Sequence, residues 1–301
     1  MFERITYIVN PASQNGKTGR MWTALARSLP RAHETLFTQK VGDAISLARA
    51  AAEAGADLVV SVGGDGTLNE VSSGLMLVAK DKRPALAMVP RGTGGDFRRT
   101  LGYPTEIDAV AALIDRGHTK ELDVGALTYR TRAGADVVRH FINICSFGLS
   151  GVVDEAVNGT SKALGGKLSF LVGTLRGLAK FRPVRVELSI DGSPFHEQRV
   201  TLVAACNGRA FGGGMMLAPT ADPTDNQFEM LTLAPLGLRD LFAMPKLYRG
   251  EHLGLDVVSY RTGTRLIARS METVLIDVDG EQLGQLPIDI ELVPHAVRFV
   301  C

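Results

Sequence analysis

Cysteine is scarce in this chain: Cys145, Cys206 and Cys301 are odd in number and far apart. No Cys-x-x-Cys occurs, so neither a disulfide framework nor a zinc site is expected, and a reducing, cytoplasmic setting fits. Net charge is nearly absent, with 33 Lys and Arg against 32 Asp and Glu, for +1. No global basic field exists to attract nucleic acid, which is excluded as a partner. A run of about 18 apolar residues is missing, so no spanning helix is expected and any membrane contact is peripheral. The amino terminus, Met-Phe-Glu-Arg-Ile-Thr-Tyr, starts like a strand and has no apolar signal-peptide region. His33, His118, His140, His196, His252 and His295 show no metal-ligand spacing. A Gly-x-Ser-x-Gly elbow is missing, which removes the seryl-hydrolase reading. So are internal repeats of about 20–50 residues.

What is present is 301 residues with 45% hydrophobic content, which fits two domains better than one large core. The first 120 or so residues alternate strand and helix. Ile5–Asn10, His33–Thr38, Leu58–Val62 and Ala85–Val89 read as strands. Thr18–Leu29, Asp43–Ala54, Thr67–Val78 and Asp108–Asp115 read as helices. That order predicts a doubly wound, Rossmann-like α/β domain over residues 1–123, with helices on both faces of a mostly parallel sheet. After Lys120 strands follow one another: 137–145, 184–191, 198–206, 228–234, 257–262, 264–269, 273–279 and 287–293. Two helical stretches, 161–181 and 238–249, interrupt them. Residues 124–295 are therefore expected to form a β-rich, sandwich-like domain. A tight hinge near 118–128 joins the halves, and a ligand is expected in the cleft between domains. The last strand, residues 296–301, can return to either domain.

The most informative stretch is Gly63-Gly64-Asp65-Gly66-Thr67, placed at the end of the strand Leu58–Val62. Glycines let backbone approach a ligand closely, and free N–H groups at a helix start suit a phosphate. Thr67-Leu68-Asn69-Glu70 also reads as a capping box, Thr67 at the N-cap and Glu70 at N3. Pro90-Arg91-Gly92-Thr93-Gly94-Gly95-Asp96-Phe97 repeats the architecture at the next strand end, so the two loops are expected to share one crevice. Neither loop is a dinucleotide fingerprint or a Walker loop. A third loop, Asn10 to Lys17, follows the first strand. Lys17 either neutralises phosphate or is a solvated first-turn lysine.

Together these residues resemble the diacylglycerol kinase catalytic-domain family, which includes bacterial lipid kinases and sphingosine kinases and is distantly akin to NAD kinases. The resemblance covers nearly the whole chain. It rests on Gly63–Thr67 with Asn69-Glu70, on Pro90-x-Gly92-Thr93-Gly94-x-Asp96-Phe97, and on Asn143, Phe147-Gly148, Asn207-Gly208 and Gly212–Gly214. Ala218-Pro219-x-Ala221 and Asp279-Gly280-Glu281 complete it. The family usually has Asn where Gly95 stands, and Asp-Gly where this chain has Asp225-Asn226. The resemblance implies ATP and Mg²⁺ as cofactors. It implies nucleotide contacts from Asn10, Lys17, Gly63, Gly64, Gly66, Thr67, Asn69, Glu70, Gly92, Thr93, Gly94 and Asp96. It implies Asp65 and Asp225 as organisers of Mg²⁺ on opposite sides of the cleft, and Glu281 as the general base, with Asp65 and Glu281 the catalytic pair.

Residues 161–182 bear on the acceptor. Leu164, Leu168, Leu171, Leu175 and Leu178 recur at helical spacing, and from Ala156 to Val186 there are six Lys or Arg and no acidic residue. This is either a basic amphipathic helix resting on an anionic membrane through Lys167, Phe170, Leu171 and Arg176, or a core-packed helix with solvated cations. The reading adopted is an ATP- and Mg²⁺-dependent lipid kinase acting on a diacylglycerol-like hydroxyl, cytoplasmic and peripheral at the inner membrane face, with a homodimer compatible. The alternatives are a kinase of a soluble acceptor, NAD-kinase-like or a sugar kinase, and a non-catalytic nucleotide-binding regulatory protein.

Overall fold

The apolar runs of the first third become buried parallel strands. In the computed structural model, residues 2–31, 33–92, 94–131, 134–150, 181–237, 240 and 244–301 are described. Two compact units result, Met1–Val124 with Pro294–Cys301, and Gly125–Val293.

In the first unit β1 (Ile5–Val9), β2 (Glu34–Phe37), β3 (Leu58–Gly63) and β4 (Ala85–Pro90) alternate with α1 (Lys17–Leu25), α2 (Asp43–Glu53) and α3 (Asp65–Met76). The sheet runs β2-β1-β3-β4, all parallel, and every residue of β1 and β3 is buried. Strands covered on both faces are apolar throughout, which is why these read so clearly. Alanines let α2 lie close on α3: a Cβ built on Gly74 would sit 2.3 Å from the Ile45 carbonyl oxygen. Two shorter helices, α4 (Asp96–Leu101) and α5 (Ile107–Arg116), follow β4. The carboxyl ends of β1, β3 and β4 all carry loops, the edge at which such sheets bind ligands.

The segment expected to join the halves, 118–128, is a 12-residue strand, β5 (Thr119–Arg130), and the division between the two units falls inside it, between Val124 and Gly125. Gly125 lies under the Phe141 ring, where an added Cβ would be 2.1 Å from ring carbon. Glycine here makes room for an aromatic rather than a bend. The stretch 137–145 divides into β6 (Asp136–Phe141) and β7 (Ile144–Gly148), and 198–206 into β9 (His196–Val200) and β10 (Leu202–Cys206). Between them lies β8 (Val184–Ile190). Then come β11 (Phe228–Leu233), α6 (Met244–Arg249), β12 (Val258–Gly263), β13 (Arg265–Arg269) and β14 (Leu275–Val278). The two late strands read separately are one 20-residue strand, β15 (Glu281–Val300).

In the second unit one path of strands runs β12-β11-β10-β7-β14-β15. A second joins β9, β8 and β13 to β15, which also pairs β5. Alternate residues of β7 and β10 feed separate cores. Cys145, Phe147, Val203 and Ala205 face one; Ile144, Leu202, Ala204 and Cys206 face the other. The end of β15 lies in the first unit, where Phe299 pairs with Leu86 of β4 and packs edge-on against Phe97 and Tyr103. No helix among the described residues is long and apolar enough to cross a membrane.

Candidate active site

The two glycine loops of the first unit meet. A Cβ on Gly92 would stand 2.5 Å from the Gly64 Cα, and one on Gly63 would stand 2.4 Å from Thr67 Oγ1. Arg91 N–H donates to the Gly63 carbonyl at 2.6 Å. Only glycine permits this approach, and it leaves backbone exposed toward the strand ends. Helix α3 starts at Asp65 with Gly64 as its N-cap, and no side chain caps it. The first N–H groups of such a helix lack intrahelical partners and attract anions.

The capping box expected at Thr67 and Glu70 does not form. The glycine turn starts the helix two residues early, so Thr67 is already inside its first turn. Its Oγ1 accepts from Asn10 Nδ2 at 3.1 Å. Glu70 is buried, and its two carboxylate oxygens accept from Gly42 N–H at 2.9 Å and Ala44 N–H at 3.1 Å. It caps α2, not its own helix. Asn69 is buried and its Oδ1 accepts from the Ser73 hydroxyl at 3.0 Å. Gly66 lies in the first turn of α3, and Lys17 is exposed at the start of α1. Gln14, Asn15 and Gly16 before it all have positive φ, of 52°, 56° and 78°.

Asp65 has a specific set of partners. Its Oδ2 accepts from Gly95 N–H at 2.8 Å and Asp96 N–H at 3.2 Å, and its Oδ1 from Phe97 N–H at 3.3 Å. Gly94 passes so close that a Cβ there would be 3.0 Å from Asp65 Oδ2. Asp96 is buried and pairs with Arg99 at 2.5 Å. Gly95 has φ 64°, a conformation that Asn shares with Gly. Thr93, Lys167, Phe170, Leu171 and Arg176 lie outside the described residues.

In the second unit Asp279 and Gly280, with φ 50° and 86°, make a two-residue turn from β14 to β15. Glu281 follows at the head of β15. It is not a freely solvated turn residue: its side chain is 26% exposed and its Oε2 accepts from Arg139 Nη2 at 3.2 Å. Asp225 is exposed, its Oδ1 accepting from Gln227 N–H at 3.0 Å, and Asn226 takes φ 63°.

Known proteins match this arrangement along nearly its whole length. Residues 4–127 match the diacylglycerol kinase catalytic domain, and residues 143–301 match the YegS C-terminal NAD kinase beta sandwich-like domain. A diacylglycerol kinase of Bacillus subtilis is 32% identical over 256 residues, covering 84% of this chain and 80% of its own. The chain belongs to the diacylglycerol kinase family. A relative of the same name from Staphylococcus saprophyticus is 30% identical, covering 95% of this chain and 92% of its own. A crystal structure of a diacylglycerol kinase from Bacillus anthracis superposes with a TM-score of 0.78 at 27% identity, covering 99% of this chain and 97% of that one. Yeast NADH kinase shares the fold alone, with a TM-score of 0.54 and 13% identity over 99% of this chain and 83% of that one. Membership makes the chain a kinase, a phosphotransferase.

For this diacylglycerol kinase-family chain, the contacts made by several motif residues left no trace in the sequence. Asp279 accepts from Ile142 N–H at 3.0 Å, Asn143 N–H at 3.1 Å and Ile144 N–H at 2.7 Å. These bonds occupy the backbone where β6 gives way to β7. Asp277, which is buried, accepts from Gly280 N–H at 2.8 Å. Asn143 donates from Nδ2 to the Ala210 carbonyl, and its own carbonyl accepts from Asn207 and Gly208. Burial, with Asp277 and Asp279 nearby, pushes the Cys145 thiol well up, so it is no nucleophile. Arg139 is the residue with no local signal; only pairing of β6 with β5 and the turn at 279–280 bring it to Glu281.

Proposed function

We propose that this chain transfers the γ-phosphoryl group of ATP to the hydroxyl of a diacylglycerol-like lipid. One observation carries the donor half of the reading: the N-terminus of α3 is uncapped, and the Gly92 loop presses against it with no side chain between. Such a cradle suits phosphate oxygens, and phosphoryl transfer needs mainly positioning and charge neutralisation. Among the described residues no three His, Cys, Asp or Glu stand together as a metal cage. Mg²⁺ in kinases keeps several waters and is bound through substrate phosphates and one or two carboxylates, the part expected of Asp65 and Asp225, so it enters with the donor substrate, MgATP. Lys17 and the α3 amides bind phosphate in this reading. Glu281, aimed by Arg139, takes the proton of the acceptor hydroxyl.

A lipid acceptor is favoured by the names of the Bacillus subtilis and Staphylococcus saprophyticus relatives. The acceptor meets the enzyme at the membrane surface, the chain binding there peripherally. The test is transfer of label from γ-labelled ATP with Mg²⁺, offered diacylglycerol in mixed micelles alongside NAD and simple sugars. Label in the organic phase, dependent on diacylglycerol, is the expected result. Label only in a soluble product would make this a soluble-acceptor kinase. Nucleotide binding without transfer to any acceptor would leave a regulatory protein.

A further inference from the structure

We infer that the two motif aspartates, Asp65 and Asp279, are positioning residues: each clamps three successive backbone amides of a distant loop. Asp65 lies at the head of α3, yet its carboxylate collects the N–H groups of Gly95, Asp96 and Phe97, some thirty residues on. Asp279 lies in the β14–β15 turn and collects those of Ile142, Asn143 and Ile144. Charge-assisted bonds to backbone N–H are among the stronger hydrogen bonds, and a carboxylate can accept several. In each unit the arrangement joins one motif to another. Asp65 fixes the Gly92–Phe97 loop against the Gly63–Gly66 loop, in the crevice where Gly92 and Gly64 nearly touch. Asp279 fixes the Asn143 turn against the hairpin that carries Glu281.

The local geometry is shaped around these clamps. Gly94 has no room for a side chain beside Asp65 Oδ2. Gly95 sits in the left-handed region that aims its N–H at the carboxylate. Asp279 is itself held at φ 50°, an uncommon state for a non-glycine residue, and Asp277 braces the same turn through Gly280. Both oxygens of Asp65 accept backbone N–H bonds, two at Oδ2 and one at Oδ1, so loop geometry engages the whole carboxylate. This deepens the kinase reading and relies on it only for the catalytic consequence, not for the contacts.

Hydrogen–deuterium exchange of the nucleotide-free protein tests the clamps without reference to catalysis. Asp65→Ala should speed exchange of the Gly95–Phe97 amides about tenfold or more, with β1 and the second unit unchanged. Asp279→Ala should do the same at Ile142–Ile144 and leave 95–97 alone. Asp65→Asn and Asp279→Asn, nearly the same size, serve where the alanine variants do not fold. Unchanged exchange at both sites overturns the proposal whether or not a kinase assay succeeds. In the assay, Asp65→Asn should raise KM for ATP while leaving KM for the acceptor and the Mg²⁺ concentration for half-maximal rate as they are. A variant that instead needs more Mg²⁺ at unchanged KM for ATP would make Asp65 a metal ligand and overturn the assignment.

Discussion

At the scale of single residues, glycine and carboxylate positions decide what this site tolerates. Gly92→Ala would drive a Cβ to 2.5 Å from the Gly64 Cα, so one loop must move. The expected cost is about 1–3 kcal/mol in urea unfolding, together with weaker nucleotide binding. Gly95→Asn should change stability by no more than about 0.5 kcal/mol, because φ 64° suits Asn and the nearest obstacle is the flexible Arg98 side chain. A marked loss of stability from Gly95→Asn would contradict this. The family's usual Asn at that position is thus interchangeable with Gly on backbone grounds. Glu281→Gln should lower kcat by about 10²–10⁴-fold with nucleotide affinity unchanged, if the carboxylate takes the acceptor's proton. Turnover like that of the parent would remove Glu281 from the mechanism.

At the scale of elements, carboxylates tie together pieces that sequence proximity keeps apart. Glu70 belongs to α3 but satisfies two amides at the start of α2. Glu70→Ala leaves both without their acceptor, that of Ala44 in a buried place and that of Gly42 in a part-buried one, for an expected loss of about 1–3 kcal/mol in thermal or chemical unfolding. Glu70→Gln keeps one acceptor oxygen and should lose less. Equal stability of Glu70→Ala and the parent would show that water replaces the carboxylate there. The capping-box reading of Thr67 and Glu70 was reasonable from spacing alone. It failed because two glycines start α3 earlier than its polar residues suggest. The strand β5 was hidden for a related reason: Gly125 breaks the pattern of side chains while Phe141 fills the space from a neighbouring strand.

At the scale of the whole molecule, burial gives stability a pH dependence. His252 is 1% exposed; its Nε2–H donates to the Leu217 carbonyl at 3.0 Å, and its Nδ1 has no partner among the described residues. Burial holds its pKa below the usual histidine value, the bond to Leu217 opposing only in part. The unfolded chain therefore binds the proton first as pH falls, and stability present above about pH 6.5 is lost progressively below it. The melting temperature should drop from pH 7.5 to 5.5, and His252→Gln should flatten that drop. Parallel profiles for the two proteins would place the effect elsewhere. The sequence by itself determined the alternation of strand and helix, the β-rich second half and the glycine loops at strand ends. It could do so because burial on both faces, helix periodicity and turn chemistry are local patterns. Tertiary structure alone decided that Asp65 holds residues 95–97, that Glu70 caps α2, that Asp279 holds residues 142–144 and that Arg139 meets Glu281. A carboxylate's hydrogen-bond partners are set by which distant backbone the fold delivers to it, and no spacing along the chain encodes that choice.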